Sequence, residues 1–555
     1  AKLENDLINN GTLTLTTGDL GSNINQTESG TTIIDGVITN TAGKTINQYA
    51  LNINAAGSLT TNANTLTIGD GKINTTGDLI LTGTDAAGNF TAAVTGTGTG
   101  KVYIGDGTTA AKITATESGK IIAAAMSVAA NSELVINADN IGADVENKNK
   151  VTLKQNGSEV TTLDGKITGG QIIIDGDISA KAGDLASTNG IINDGDHTLT
   201  LVGETSVLGD NISGTNGTVK VTGAAEANGH TITQKAVIIE DDGSLKIGAQ
   251  DIIISGATQN DGTLTLTDVH GNNLGTSVVN TDNGKGTTNI EGTIININNK
   301  EIKQHILNIN TNSSLTTQAD KLTITGTDGK ITAVGDLILT GDLTTGVFDA
   351  TVAGSTGTVK IGDGTGTNTI TAKKSISQDM EVSTANDTLI IDADNIGAKI
   401  ANAGTVKITA DGAGGVGDAH DTILTGNTIT GGQITIAGDV TANATDLAAD
   451  NAISIIADKT LTLNGGDLIV NIGSETDKAG KVVISGIVDA KDKVITEESL
   501  TVSETTGNLT IGAANAITNG ASVTNDGTLN LTDGTLAFAI AQSAVGKGAT
   551  VIAGT

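Results

Sequence analysis

One short phrase recurs three times along the chain and constrains the fold more than any other feature. An Asn-Gly or Asp-Gly pair precedes a strand in which threonine or asparagine alternates with leucine. The alternation places leucine on one face, which is typical of a half-buried β-strand. The Asx-Gly pair predicts a turn whose glycine has a positive φ. The turn and assembly motif comprises Asn10 and Gly11, then Asn260, Asp261 and Gly262, then Asn525, Asp526 and Gly527.

Other phrases recur at a similar spacing and define a long internal repeat. Gly262 follows Gly11 by 262 − 11 = 251 residues, and Leu337 follows Leu79 by 337 − 79 = 258 residues. The spacing drifts while the phrases survive, so we expect insertions to fall in the turns between strands. The repeats are predicted to span 1–259 and 260–524. Residues 525–555 are interpreted as the start of a third repeat or as an end-to-end contact segment.

Strand-like segments recur every ~15–25 residues, a spacing typical of all-β arrays. Asx-Gly, Gly-Asp and Gly-Gly turns separate them. Only residues 121–130 are consistent with a helix, and a pair of buried strands fits them equally well. The pattern therefore predicts an all-β protein.

The composition favours one all-β architecture. The 555 residues include no Pro, Cys or Trp, and the aromatic residues are two Tyr and three Phe. A core of Ile, Val, Leu and Ala alone must be narrow and regular. We therefore predict a parallel β-solenoid (β-helix) rod, with tandem β-sandwiches, which usually carry core aromatics, as the alternative. About 20 residues per coil and about 4.8 Å per coil give a rod of about 130 Å.

The charge of the chain excludes several classes of partner. The net charge is −31, and every basic residue is Lys. Excess negative charge repels nucleic acid and anionic membranes, so neither is a predicted partner. No apolar run approaches the ~20 residues of a membrane span. The chain begins at Ala1 without a signal-peptide pattern, which suggests a processed or excerpted chain.

Gly-Asp turns are the best candidates for a ligand site. Asp106 and Asp363 occupy equivalent Gly-Asp-Gly turns, and Asp175 and Asp177 form a close carboxylate pair. Carboxylates on tight turns suit calcium, which is therefore a candidate ligand. However, the nonapeptide period of calcium-binding β-rolls is absent, and Asp175 corresponds to Ala437 in the second repeat. We favour the interpretation that these aspartates cap turns, and we predict no cofactor.

No catalytic constellation is present in the sequence. The histidines are interpreted as scattered surface residues because none is spaced from another as metal ligands are. They are His197, His230, His270, His305 and His420. No phosphate-binding loop or nucleophile elbow occurs. A carbohydrate-cleaving solenoid with paired carboxylates is the remaining enzymatic alternative, and we predict that the chain is not an enzyme.

The strand phrases carry a family resemblance. The phrase at 260–267, Asn-Asp-Gly-Thr-Leu-Thr-Leu-Thr, and the phrase at 77–83, Gly-Asp-Leu-Ile-Leu-Thr-Gly, resemble passenger regions of bacterial autotransporters. The chain looks most like the large Asn/Thr/Gly-rich, Cys-free surface proteins of rickettsiae. The resemblance covers the whole chain in style and includes no specific motif. It implies a β-solenoid displayed outside the cell.

These observations lead to one leading hypothesis about function. We expect a non-enzymatic extracellular structural protein of a bacterial surface, acting as an adhesin stalk or a coat. The alternative is a filament or surface-layer subunit that stacks end to end, since the ends of a solenoid are unpaired strand edges. The expected partners are further copies of the chain or a cell-surface or host molecule.

Overall fold

The computed structural model describes residues 5–68, 73–83, 89–90, 94–96, 100–122, 124–227, 229–354, 356–374, 376–392, 395–396, 399–409, 422–424, 428–473, 480–518, 523–536 and 538–553. In these residues the chain is all-β, and parallel strands stack as the coils of a β-solenoid. The predicted solenoid is confirmed, and the β-sandwich alternative is wrong. Two compact units form, Ala1–Gly271 with Gly275–Thr281, and Asn272–Leu274 with Asp282–Thr555. The repeat boundaries at 259 and 524 stay a prediction.

The strands of the first unit are short. They are Leu7–Ile8, Thr12–Leu15, Gly18–Asp19, Ile24–Asn25, Thr31–Ile34, Val37–Thr39, Ile46–Gln48, Ala50–Ile53, Ser58–Asn62, Leu66–Ile68, Ile73–Thr75, Asp78–Thr82, Asn89–Phe90, Val94–Gly96, Val102–Ile104, Lys112–Ile122, Met126–Val128, Glu133–Ile141, Val145–Asn147, Lys150–Lys154, Thr161–Leu163, Ile167–Thr168, Gln171–Asp175, Ile178–Ala180, Leu185–Ala186, Ile191–Ile192, Thr198–Leu201, Ser206–Val207, Ile212–Ser213, Thr218–Val221, Ala224–Ala227, Ile232–Gln234, Ala236–Ile239, Ser244–Gly248, Ile252–Ile254, Ala257–Asn260, Thr263–Thr267 and Ser277–Val279.

The strands of the second unit have similar lengths. They are Thr287–Glu291, Thr293–Ile295, Ile302–Gln304, Ile306–Ile309, Ser314–Gln318, Leu322–Ile324, Lys330–Ala333, Asp336–Thr340, Val347–Phe348, Val352–Ala353, Val359–Ile361, Thr369–Ala372, Met380–Val382, Thr388–Ile391, Asn395–Ile396, Ile400–Asn402, Thr405–Ile408, Thr422–Leu424, Ile429–Thr430, Gln433–Ile436, Val440–Ala442, Leu447–Ala448, Ser454–Ile455, Thr460–Asp467, Lys481–Ala490, Ile495–Glu497, Ser499–Val502, Asn508–Ile511, Ala516–Thr518, Val523–Asn525, Thr528–Leu531, Ile540–Ala541 and Ala549–Ile552. Single 3₁₀ turns occur at Ala63–Thr65, Ala182–Asp184, Ala319–Lys321 and Ala444–Asp446.

A coil at the start of the first unit has three strands. Thr12–Leu15 pairs in parallel with Thr31–Ile34, and two other strands lie between them in the chain. Paired positions are 31 − 12 = 19 residues apart here, and 38 − 18 = 20 residues apart where Gly18 pairs with Ile38. A coil therefore takes about 20 residues, as the strand spacing predicts.

Aliphatic side chains stack in columns inside each unit, and one column contributes one side chain from each of six successive coils. In the first unit it comprises Leu79, Val102, Met126, Val145, Ile167 and Leu185, each at most 3% exposed. In the second unit it comprises Leu337, Val359, Met380, Ile400, Ile429 and Leu447, again at most 3% exposed. Each such burial stabilises the fold by about 1.5–3 kcal/mol.

The two columns also locate the differences in length between the repeats. The second methionine follows the first by 380 − 126 = 254 residues, and Ile429 follows Ile167 by 429 − 167 = 262 residues. Both pairs nevertheless occupy matching positions in their columns. Most of the extra residues therefore lie in the sequence between strands Thr405–Ile408 and Thr422–Leu424. The helical interpretation of 121–130 is wrong, because strands Lys112–Ile122 and Met126–Val128 occupy this region.

Candidate functional site

In each copy of the recurring phrase, the Asx residue directly before the glycine accepts a hydrogen bond from the next coil. Asn10 Oδ1 accepts a hydrogen bond from the Thr27 N–H at 2.9 Å. Asp261 Oδ1 accepts one from the Thr281 N–H at 2.7 Å, and the Thr281 hydroxyl donates to Asp261 Oδ2. These side chains satisfy a backbone donor that turns away from the strand ladder. The motif therefore joins successive coils of one chain.

The third copy of the phrase repeats this contact. Asp526 Oδ1 accepts a hydrogen bond from the Ser543 N–H at 2.8 Å. Hydrogen bonds from the Ser543 hydroxyl and N–H lower the pKa of Asp526 below its ordinary value, because they stabilise the charged carboxylate. Whether this motif also guides assembly between copies stays a prediction.

The glycines of the motif have a different role from the predicted one. Gly11, Gly262 and Gly527 do not have a positive φ, so the predicted turn geometry is wrong. A Cβ on Gly262 would lie 2.1 Å from the Glu240 carbonyl oxygen and 2.3 Å from that of Gly243. The backbone of the preceding coil thus leaves no room for a side chain. Among the described residues, no atom lies within 4 Å of the position that a Cβ on Gly11 would occupy.

The calcium candidates in the Gly-Asp-Gly turns bind their own backbone. Asp106 Oδ1 accepts hydrogen bonds from the N–H groups of Thr108 and Thr109 at 2.9 and 2.8 Å. These bonds, the one from Thr109 first, lower the pKa of Asp106. Asp363 Oδ1 likewise accepts from the Thr365 N–H at 2.9 Å and from its hydroxyl at 2.7 Å. The geometry is that of an Asx turn.

The carboxylates of Asp175 and Asp177 have different partners. Asp175 forms an ion pair with Lys154 at 2.9 Å and lies 3.6 Å from His197 Nε2. Asp177 Oδ1 instead accepts a hydrogen bond from the Thr198 N–H at 2.8 Å. Calcium binding at Asp106, Asp363, Asp175 and Asp177 stays a prediction, and a fall in melting temperature on chelation would support it.

The histidines have different environments. His305 is buried at 9% exposure, and its Nδ1–H donates to the Thr325 carbonyl oxygen at 2.8 Å, so the surface interpretation is wrong for this residue. His270 Nδ1 lies 3.0 Å from the buried carboxylate of Asp251. His420 lies outside the described residues.

Buried amides at the corners of the coils were not predicted. Asn147 Nδ2 donates to the Gly169 and Gln171 carbonyl oxygens at 3.2 and 3.0 Å. In the second unit Asn402 Nδ2 donates to the Gly431 and Gln433 carbonyl oxygens at 3.2 and 3.1 Å. The signal was available in the sequence, since Gly-Gly-Gln follows each asparagine, after 169 − 147 = 22 residues in the first unit and 431 − 402 = 29 residues in the second. Alternation alone assigned no role to these polar residues.

The chain is similar to outer membrane protein B of Rickettsia rickettsii. The two are 27% identical over 432 residues, which is 67% of this chain and 25% of the relative. The chain thus spans about a quarter of that protein's length. No family model matches the chain. No solved structure matches it.

The fold and the similarity together are consistent with a structural role at a bacterial surface. No helix in the described part of the chain is long and apolar enough to cross a membrane.

Proposed function

We propose that this chain is a non-enzymatic structural segment of a bacterial surface protein, displayed outside the cell as an adhesin stalk or a coat. The observation that carries this proposal is the similarity to an outer membrane protein over 432 residues of a chain that forms solenoid coils. Inward positions of both repeats hold aliphatic columns, whereas outward positions are mostly polar. Such an arrangement builds an extended polar surface from a narrow core.

Surface exposure can be tested in the bacterium that carries the protein. Antibodies against the purified chain should label intact cells, and protease added to intact cells should remove the label. A periplasmic protein serves as the control and should survive the same treatment. Labelling that requires permeabilised cells would overturn the proposal. Binding of chain-coated beads to host cells would favour an adhesin over a coat.

A further inference from the structure

A buried glutamine recurs at one corner of the coils. It is the last residue of strands Ile46–Gln48, Ile232–Gln234 and Ile302–Gln304, and it is at most 3% exposed in each. The side-chain Nε2 donates a hydrogen bond to the carbonyl oxygen of the residue before it, at 2.7–2.8 Å. The Oε1 atom accepts hydrogen bonds from Asn or Thr side chains of preceding coils. Each glutamine therefore presents one donor end and one acceptor end to this corner.

A glutamate occupies the matching position in the second unit. Glu497 ends the strand Ile495–Glu497, is 1% exposed, and follows Gln234 by 497 − 234 = 263 residues. Its Oε2 accepts a hydrogen bond from the Gly480 N–H at 2.8 Å and lies 3.1 Å from the position that a Cβ on Gly480 would occupy. Gln48 Oε1 lies 2.8 Å from the same position on Gly30. Glu497 Oε2 is therefore the acceptor end, and Oε1 stands where a glutamine has its donor end.

The donor end of this corner lies beside a backbone carbonyl group. Glu497 Oε1 is 2.7 Å from the position that a Cβ on Gly473 would occupy, and the Thr496 carbonyl oxygen lies closer to the same position. Thr496 directly precedes Glu497, so its carbonyl group is the counterpart of the one that each glutamine binds. A carbonyl oxygen and an ionised carboxylate both only accept hydrogen bonds, whereas a protonated carboxyl group also donates one.

We propose that Glu497 is a neutral carboxylic acid in the folded chain, and that its Oε1–H donates a hydrogen bond to the Thr496 carbonyl oxygen. Burial favours the neutral form, because a charge loses its hydration inside the protein. The preceding coils point the same way. Asn193 Nδ2 donates to Gln234 at 2.9 Å in the first unit, but Ile455, which follows Asn193 by 455 − 193 = 262 residues, has no side-chain donor.

The described segments that border Glu497 contain no acidic or basic side chain. They are Ser454–Ile455, Ile472, Gly473, Gly480 and Ala516–Thr518. Of the charged residues that flank these segments and the strand in sequence, Glu498 is exposed, Lys493 is half-buried, and Lys481 forms an ion pair with Asp458 at 3.6 Å. Lys478 lies outside the described residues, so the test includes it.

A neutral Glu497 makes this corner sensitive to pH. The folded chain holds a proton that the unfolded chain releases at neutral pH, so stability falls as the pH rises. The stabilising contribution is complete in acid and is lost as Glu497 ionises. An ionised Glu497 would place its carboxylate beside the Thr496 carbonyl oxygen and loosen the corner.

Infrared spectroscopy of the whole purified chain at pH 7 tests the protonation state directly. The wild type should show the C=O stretching band of a protonated carboxyl group, and Glu497→Gln should remove it. Asp184→Asn should keep the band, although burial raises the pKa of Asp184, and Lys478→Gln should also keep it. A wild type without the band, or a band of equal intensity in Glu497→Gln, would overturn the proposal. A band found only in Lys478→Gln would assign Glu497 to an ion pair and would equally overturn it.

Chemical denaturation between pH 5 and pH 8 measures the consequence for stability. The folding equilibrium constant of Glu497→Gln should rise relative to that of the wild type by up to about tenfold per pH unit, the value for one additional bound proton. Glu498→Gln is the matched control, since Glu498 is adjacent and exposed, and its ratio to the wild type should not change in this way. A ratio for Glu497→Gln that is independent of pH would overturn the proposal. If Glu497→Gln fails to fold, the infrared spectrum of the wild type still decides the outcome.

Discussion

At the scale of single residues, close backbone approach matters more than turn conformation. Gly527 shows the same crowding as Gly262, with the Ser503 and Gly507 carbonyl oxygens 2.2 and 2.3 Å from its Cβ position. A side chain at either site would push neighbouring coils apart. The glycines of the second and third phrases are thus required by the coil before them, and not by their own φ.

Gly262→Ala should lower the free energy of unfolding by about 1–3 kcal/mol, the usual cost of forcing extra atoms into a packed site. Chemical denaturation measures this change. Gly256→Ala is the matched control, because no atom lies within 4 Å of its Cβ position and its φ is not positive. Equal effects of the two substitutions would contradict the crowding argument.

At the scale of strands and corners, buried amides replace the hydrogen bonds that the ladders cannot make. Asn147 also accepts a hydrogen bond at Oδ1 from the Asn149 N–H at 3.0 Å, so both ends of its side chain are satisfied. The Asn147 Nδ2 atom lies 2.4 Å from the position that a Cβ on Gly170 would occupy, and Gly170 has a φ of +52°. The Gly-Gly pair and the asparagine therefore form one corner.

Asn147→Ala should lower the free energy of unfolding by about 1–3 kcal/mol for each buried partner left unsatisfied. The measurement is again chemical denaturation. Asn74→Ala is the control, because Asn74 is exposed and its Nδ2 donates a hydrogen bond to another side chain at the surface, Asn52 Oδ1, at 2.8 Å. We expect this surface change to alter the stability by less than about 0.5 kcal/mol. A larger loss in Asn74→Ala than in Asn147→Ala would refute the role of the corner.

At the scale of the whole molecule, the acidic residues do more than keep a chain of net charge −31 in solution. Five aspartates accept hydrogen bonds from threonine or serine, and these bonds are the main cause of their lowered pKa values. The aspartates concerned are Asp19, Asp106, Asp194, Asp342 and Asp526. Burial raises the pKa of Asp184 instead, so this residue opposes the trend.

The melting temperature should fall as the pH drops below about 4. Because folding lowers the pKa of each of these aspartates, its contribution to stability is complete above pH 3.8, the ordinary pKa of the group. That contribution is lost as the pH falls through the pKa of the folded state. Thermal melts between pH 7 and pH 3 measure this dependence. Asp106→Asn should weaken it, because an amide oxygen accepts the same hydrogen bonds without titrating, as Asn10 does. A melting temperature that rises toward pH 3 would contradict this expectation.

The sequence by itself determined the strands, the long repeat and the separation of aliphatic and polar faces. The alternation of polar and apolar residues is a local pattern, so it indicates a strand without information about residues distant in sequence. It also predicted about 20 residues per coil, which the pairing of Thr12 with Thr31 confirms.

Only the tertiary structure decided which residues of successive coils meet. The number of strands per coil depends on how sharply each corner turns, which alternation does not specify. Stacking then determined that Glu240 and Gly243 carbonyl oxygens crowd Gly262, and that His270 lies beside Gly229. These contacts join positions one or two coils apart, and drift in connection length hides that spacing from the sequence.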